Sequence, residues 1–432
     1  MQVDYQDYVE ANYADMLQDV LNLVRIPSVK QADAGAYLFG QAIHEVLNEF
    51  ERLCHRLGMH QIHREDDYYA WVEIGNPTLP LVGIIGHVDI VDYDATTWAF
   101  NPLGEVTADT IYGRGISDDK GPVVMCLYAM KYVQDHNIPL RIRLIVGADE
   151  ESDFHCAQKY LANQEEMPAY GLVPDAKFPL VLAEESIWNL SFRLTLADLG
   201  YPDAEGLSGG TDTNIIPDTA EIVQAGERQI FKGEAAHAGN YQGKQNAIME
   251  LFKAKKGATG SFLDRLVPYQ ADVAYEIPFA NEAIVVKPTK LEMTNADSVL
   301  LTLDIRVTES LDIYQAKHEL LKTFRLQESH ITRENIAQGY RYSQDHPLIQ
   351  KLLEVYQDAL SNLPVSRPLS EPLAIAGTTY AKYFPNCISF GPGFPGEHSH
   401  AHRADERILI QSFKDAAYIY AQAICAFVDF EL

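Results

Sequence analysis

Carboxylates and imidazoles recur in this sequence where an apolar run has just ended. Leu81-Val82-Gly83-Ile84-Ile85 runs out into Gly86-His87-Val88-Asp89, and Arg141-Ile142-Arg143-Leu144-Ile145-Val146 into Gly147-Ala148-Asp149-Glu150-Glu151. In an extended His-x-Asp segment both side chains fall on one face, so His87 can ligate a metal ion while Asp89, from behind, fixes its tautomer. Consecutive carboxylates at the end of a buried strand are costly unless they bind cations or reach water. Hydrolysis at a metal centre needs one carboxylate to hold the ion and a free one to take a proton from water; Glu150 and Glu151 supply such a pair.

Three further runs carry the same residue types. Gly113-Arg114-Gly115-Ile116-Ser117-Asp118-Asp119-Lys120-Gly121 sets two aspartates before a helix, one more than an N-cap requires. Pro174-Asp175-Ala176-Lys177-Phe178-Pro179 places an aspartate before another apolar run. Near the C-terminus, Gly391-Pro392-Gly393-Phe394-Pro395-Gly396 leads into a stretch bearing His398, His400 and His402. The glycines there, Gly393 among them, let backbone approach a ligand closely. Each run alone also reads as an ordinary loop, cap or structural histidine. Histidine and carboxylate donors without thiolate suit Zn, Mn or Co.

These residues need strands and helices to bring them together. Helical spacing runs over Tyr5–Arg25, about Ala36–Leu57, Pro122–Val133, Pro347–Ser361 and a closing segment to Phe427. Short apolar runs at Leu81–Ile85, Arg141–Val146, Leu180–Ala183 and Cys387–Phe390 read as buried strands. Strand, crossover, helix and strand predict an α/β fold with a mostly parallel sheet flanked by helices. Between them the texture changes to alternation, as in Trp188–Leu194 and Val299–Ile305, with helices at Ala247–Lys255 and Ile313–Phe324. The expected organisation is a catalytic domain in two parts, 1–186 and 341–432, with an inserted α+β lid domain at 187–340.

Composition narrows the partners. A formal net charge of -27 repels phosphate backbones and anionic lipid, which argues against nucleic-acid and membrane roles. Five scattered cysteines without a CxxC pair argue against a disulfide framework and against a zinc ribbon. The longest nearly apolar stretch, Ala416–Val428, falls short of the ~20 residues a membrane-spanning helix needs. Met1–Asp7 shows neither the basic nor the apolar region of a secretory signal, so a cytoplasmic protein is expected.

The order of motifs resembles the M20 family of di-metal peptidases, and most closely its PepV-like dipeptidase branch. The likeness runs over nearly the whole chain: Gly-His-x-Asp, Gly-Arg-Gly-x-x-Asp-Asp-Lys-Gly, Asp-Glu-Glu-Ser, Pro-Asp-Ala-x-Phe-Pro, Ala-His-x-x-Asp-Glu. The resemblance implies two divalent metal ions, Zn first and Mn or Co as alternatives. One is held by His87 and Asp175, the other by Glu151 and His402, with Asp118 bridging and a cis peptide bond after it. His398 and His400 compete with His402 for that place, and the motif register selects His402. Glu150 matches the general base that takes a proton from a metal-activated water. In the lid, His237 matches the histidine that polarises the substrate carbonyl, Asn214 an Asn-x-x-Pro substrate segment, and Arg306 the arginine that grips the substrate carboxylate. Gly377 and Tyr380 belong to a loop similar to a substrate loop of that branch. The lid histidine is followed here by Ala-Gly-Asn-Tyr rather than the commoner small-polar-Pro run, and the substrate loop ends in Lys382 where arginine is usual. The expected activity is hydrolysis of dipeptides or very short peptides by a monomer or a lid-mediated homodimer. The alternatives are an aminoacylase or deacetylase of N-acyl amino acids and, in a different class, a non-catalytic binding or scaffold protein on the same fold.

Overall fold

The computed structural model describes residues 5–31, 35–239, 243–254, 261–271, 273–364, 366–368, 370–428 and 430. The chain folds into two compact units: one of residues 1–182, 342–373 and 379–432, the other of residues 183–341 and 374–378.

The first unit is built on a six-stranded sheet. Its order is Gln61–Glu65, Tyr69–Ile74, Arg141–Gly147, Leu81–His87, Tyr170–Val173, Cys387–Ser389. The last four strands run parallel to one another, whereas Gln61–Glu65 and Tyr69–Ile74 form a hairpin that joins antiparallel. The sheet is therefore mixed: four parallel strands with an antiparallel hairpin at one edge, which the expectation of a mostly parallel sheet did not include. The hairpin escapes the sequence reading because its first strand and turn are polar and charged. Its attachment has a physical cause. Arg141 and Arg143 lie inside a fully buried strand, and Glu73 of the hairpin accepts the Nε–H of each, at 2.7 and 2.8 Å. Leu81–His87 is buried along its whole length, as a strand covered on both faces must be. Helices Tyr5–Val24, Lys120–Asp135 and Ile410–Cys425 bury apolar residues in the same core.

The second unit carries an eight-stranded antiparallel sheet. Seven strands lie in the order Glu227–Lys232, Thr219–Gln224, Ala204–Gly209, Glu282–Asn295, Ser298–Val307, Ser186–Thr195, Ile331–Ala337, and Tyr275–Phe279 pairs with Glu282–Asn295. Helices Ala247–Lys253, Phe262–Leu266 and Ile313–Phe324 supply Ile248, Leu251, Phe262, Leu320 and Phe324 to a core shared with Trp188, Phe192, Leu303 and Ile305. Among the described residues no helix is long and apolar enough to cross a membrane.

Candidate metal centre

The parallel strands end together, and their ends carry the acids. His87 is the last residue of Leu81–His87; Glu150 and Glu151 follow Arg141–Gly147; Asp175 follows Tyr170–Val173. Ligands collect at the carboxyl ends of strands in such sheets. Two groups of donor atoms lie within 4.8 Å of one another: His87, Glu150 and Asp175, and His87, Asp118 and Glu151. Asp118 sits between two imidazoles. Its Oδ1 is 3.0 Å from His87 Nε2 and its Oδ2 is 3.0 Å from His402 Nε2. His402 Nε2 is also 3.0 Å from Glu151 Oε2, and His87 Nε2 is 3.8 Å from Asp175 Oδ2. Of the three C-terminal histidines, it is His402 whose ring meets the carboxylates. His400 is committed elsewhere: its Nδ1 lies 3.2 Å from the Ala404 carbonyl and Arg407 approaches its Nε2 at 3.3 Å, while His398 is exposed. The loop pays for this aim in backbone strain, since His400, His402 and Asp405 hold φ of 58°, 60° and 58°, at about 1–3 kcal/mol each.

The electrostatics show what the cluster is fitted to hold. Burial, reinforced by neighbouring carboxylates, pushes Asp175 and Glu150 well above the ordinary carboxylate range and raises Glu151. Asp118 goes the other way, because His402 and His87 overcome its burial. Burial disfavours charge on His87, yet Asp118 and Asp89 carry it well above the usual imidazole value; Glu151 does most to raise His402. The buried ammonium of Lys120 is turned away, donating to the carbonyls of Leu23 and Ile26 at 3.1 and 2.7 Å. Crowded buried carboxylates flanked by imidazoles, with no thiolate, fit divalent cations such as Zn or Mn.

Several side chains hold this arrangement from behind. Asp89 places Oδ1 3.3 Å from His87 Nδ1, and its two oxygens accept the N–H groups of Glu150 and Glu151 at 3.1 and 3.0 Å. It thus orients the imidazole and the acidic turn at once. The peptide bond Asp118–Asp119 is cis. Asp119 stands at the N-cap of Lys120–Asp135 without capping it; its Oδ2 accepts the N–H of His87 at 3.2 Å. Sequence reasoning assigned no role to Glu406. This fully buried carboxylate accepts the N–H groups of Gly115, Ser117 and Asp118 at 3.1, 3.0 and 3.3 Å, and pairs with Arg114 at 2.6 Å. It ties the Asp118 loop to the segment carrying His402. The signal was present in the Ala-His-x-x-Asp-Glu run, whose final acid has no place among the ligands.

Gly393 and Tyr380 belong to this unit too. Gly393 pairs with Lys177, two residues past Asp175, and its carbonyl accepts the N–H of Phe178 at 2.8 Å. Tyr380 departs from the expectation of substrate contact. It is 1% exposed, its hydroxyl lies 2.8 Å from Cys156 Sγ, and a Cβ on Gly147 would sit 1.8 Å from that hydroxyl. Its ring is packing beneath a strand.

On the second unit His237, Asn214, Arg306 and Gly377 gather around shared contacts. Ile215–Ile216 pairs with Ala236–His237, and the Asn214 carbonyl accepts the N–H of Ala238 at 2.8 Å. Gly239 N–H donates to His237 Nδ1 at 3.1 Å, so the neutral ring carries its proton on Nε2. Arg306 gives Nη1–H to the carbonyl of Ala376, the neighbour of Gly377.

Comparison with known proteins agrees with this architecture. Peptidase family M20/M25/M40 matches residues 83–426, and the chain belongs to that family. Family and donor clusters together make it a metal-binding hydrolase of peptidase type. YtjP of Bacillus subtilis (strain 168), provisionally named a dipeptidase, is 29% identical over 462 residues, covering 95% of this chain and 96% of that protein. SAR1836 of Staphylococcus aureus (strain MRSA252), named in the same way, is 26% identical over 474 residues, covering 97% and 98%. The M20 family metallo-carboxypeptidase Sso-CP2 of Sulfolobus solfataricus shares the fold with a TM-score of 0.63 at 16% identity, over 96% of this chain and 100% of that one. So does the di-peptidase Dug1p of Saccharomyces cerevisiae, with a TM-score of 0.62 at 11% identity, over 99% and 98%.

Proposed function

We propose that the protein is a di-metal dipeptidase of the PepV-like branch, cleaving the peptide bond of dipeptides or very short peptides. The observation that carries the reading is Asp118 spanning two imidazoles while Glu150, beside them, keeps Oε1 without a hydrogen-bond partner. His87 and Asp175 would hold one ion, Glu151 and His402 the other, with Asp118 shared and Zn, Mn or Co as the metal. When bound, the ions supply Lewis acidity and make water acidic enough to be deprotonated near neutral pH. The Oε1 of Glu150, whose carboxyl burial pushes well above the ordinary range, takes that proton and returns it to the leaving amine nitrogen. To the second unit we assign substrate recognition: His237 Nε2–H donates to a carbonyl oxygen and Arg306 engages a free carboxylate. Both relatives provisionally named dipeptidases are matched over nearly their whole length, which supports the substrate class.

The test is turnover of a dipeptide panel against N-acetylated amino acids, with Zn, Mn and Co added back singly. Dipeptides should be cleaved and N-acetyl amino acids left largely intact. Faster turnover of the N-acetyl compounds would make this an aminoacylase; no turnover of either, with metal bound, would leave a binding protein.

A further inference from the structure

The residues assigned to substrate on the second unit share one buried support. Strand Ser298–Val307 turns Leu301, Leu303 and Ile305 into the apolar core, and Asp304 and Arg306 to its other face. The register sets Lys287 of the neighbouring strand directly opposite Asp304, and both are fully buried. Asp304 accepts Arg306 Nε–H at 2.8 Å and Nη2–H at 2.7 Å, and Lys287 Nζ lies 3.2 Å from it. The same Nζ donates at 2.9 Å to the carbonyl of Ala238, the residue after His237. One carboxylate is thus joined through Arg306 to Ala376 beside Gly377, and through Lys287 to the carbonyl of Ala238 beside His237.

We propose that Lys287 and Asp304 are positioning residues that hold the His237 imidazole and the Arg306 guanidinium in one rigid frame, and so set the span between carbonyl and free carboxylate that a substrate must have. The inference rests on the functional reading above and adds its length selectivity. Three observations support it. Asp304 grips the Nε and Nη2 edge of Arg306 and Ala376 takes one proton of Nη1, which fixes the guanidinium plane and leaves one N–H on each terminal nitrogen. Lys287 Nζ spans Asp304 and the Ala238 carbonyl, which ties the segment carrying His237 to the carboxylate that holds Arg306. Buried ion pairs contribute little net stability compared with apolar side chains of the same volume, so stability alone gives no reason for a lysine here. Burial pulls the Lys287 ammonium down to about 8, against the attraction of Asp304.

The test is steady-state kinetics of the metal-loaded enzyme on a dipeptide, the same dipeptide amidated at its C-terminus, and a tripeptide. Lys287→Met should lower kcat on both dipeptide forms by on the order of 10²-fold, since the His237 segment loses its anchor. Asp304→Asn should raise KM for the free dipeptide by about 10- to 100-fold while leaving the amide far less affected, because only the carboxylate uses Arg306. Both should narrow the preference for dipeptide over tripeptide. Lys287→Gln, which retains a donor toward Ala238, should recover part of the loss, and metal content serves as the folding control. Equal losses on all three substrates, or kinetics unchanged by either substitution, would overturn the proposal. A wild-type enzyme inactive on all three would instead overturn the functional reading itself.

Discussion

The two units each bury a charged cluster, and the two are arranged in opposite senses. At the strand ends of the first unit, Asp118, Glu150, Glu151 and Asp175 crowd around His87 and His402 while the nearby Lys120 faces away. In the second, Lys287 and Arg306 converge on Asp304, which they hold well below the ordinary carboxylate range against the raising effect of its burial. The first gathers acids around imidazoles, and the second gathers basic groups around one acid. A buried imbalance costs several kcal/mol unless a ligand of the opposite sign completes it. On the proposed reading, divalent metal ions complete the first, and the Arg306 side of the second is offered to a substrate carboxylate.

The comparison breaks most sharply at Glu150, the acid that is to move a proton. Glu150→Gln should reduce kcat by ~10²–10⁴ while metal content stays at the wild-type value. Unchanged turnover would return Glu150 to the ligand set it also borders. Metal itself should act on the acidic cluster alone. Saturation at about 100 times Kd should stabilise the protein by roughly 2.7 kcal/mol, read as a rise in Tm that chelator reverses. No shift would mean the carboxylates are satisfied in some other way. Glu406→Gln sharpens the contrast further, because it touches no metal donor side chain yet holds the Asp118 backbone. A 10- to 100-fold weaker metal affinity is expected by calorimetry, and wild-type affinity would reduce Glu406 to a fold residue. The smallest effect belongs to Tyr380→Phe. Loss of one neutral hydrogen bond to Cys156 should cost about 1 kcal/mol in denaturant unfolding and leave KM within about twofold. A large rise in KM would restore Tyr380 to the substrate.

Much of the first cluster was legible in the sequence because its signals are local. A buried strand announces itself by a short apolar run, and a carboxylate or histidine at its end is conspicuous by contrast. Leu81–His87 and Arg141–Gly147 end where the apolar runs stop, give or take two residues, and helix Ile313–Phe324 matches its expected span. What was hidden depends on register between distant segments. Lys287 reads as one lysine in an alternating strand, and only pairing with Ser298–Val307 sets it against Asp304. Glu406 acts on a loop nearly three hundred residues away. The hairpin Gln61–Ile74 was missed because its charges are neutralised only once Glu73 meets Arg141 and Arg143. Tyr380 misled for a related reason: a tyrosine in a glycine-rich loop looks available until the fold turns its hydroxyl inward.

The most direct measurement is the metal content per chain of protein purified without chelator and saturated with Zn or Mn, alongside its His402→Ala and His400→Ala variants. Two ions are expected in the wild type and in His400→Ala, and about one in His402→Ala, which removes a donor to the Asp118–Glu151 side. Fewer than one ion in the wild type, or a loss confined to His400→Ala, would contradict the proposed centre.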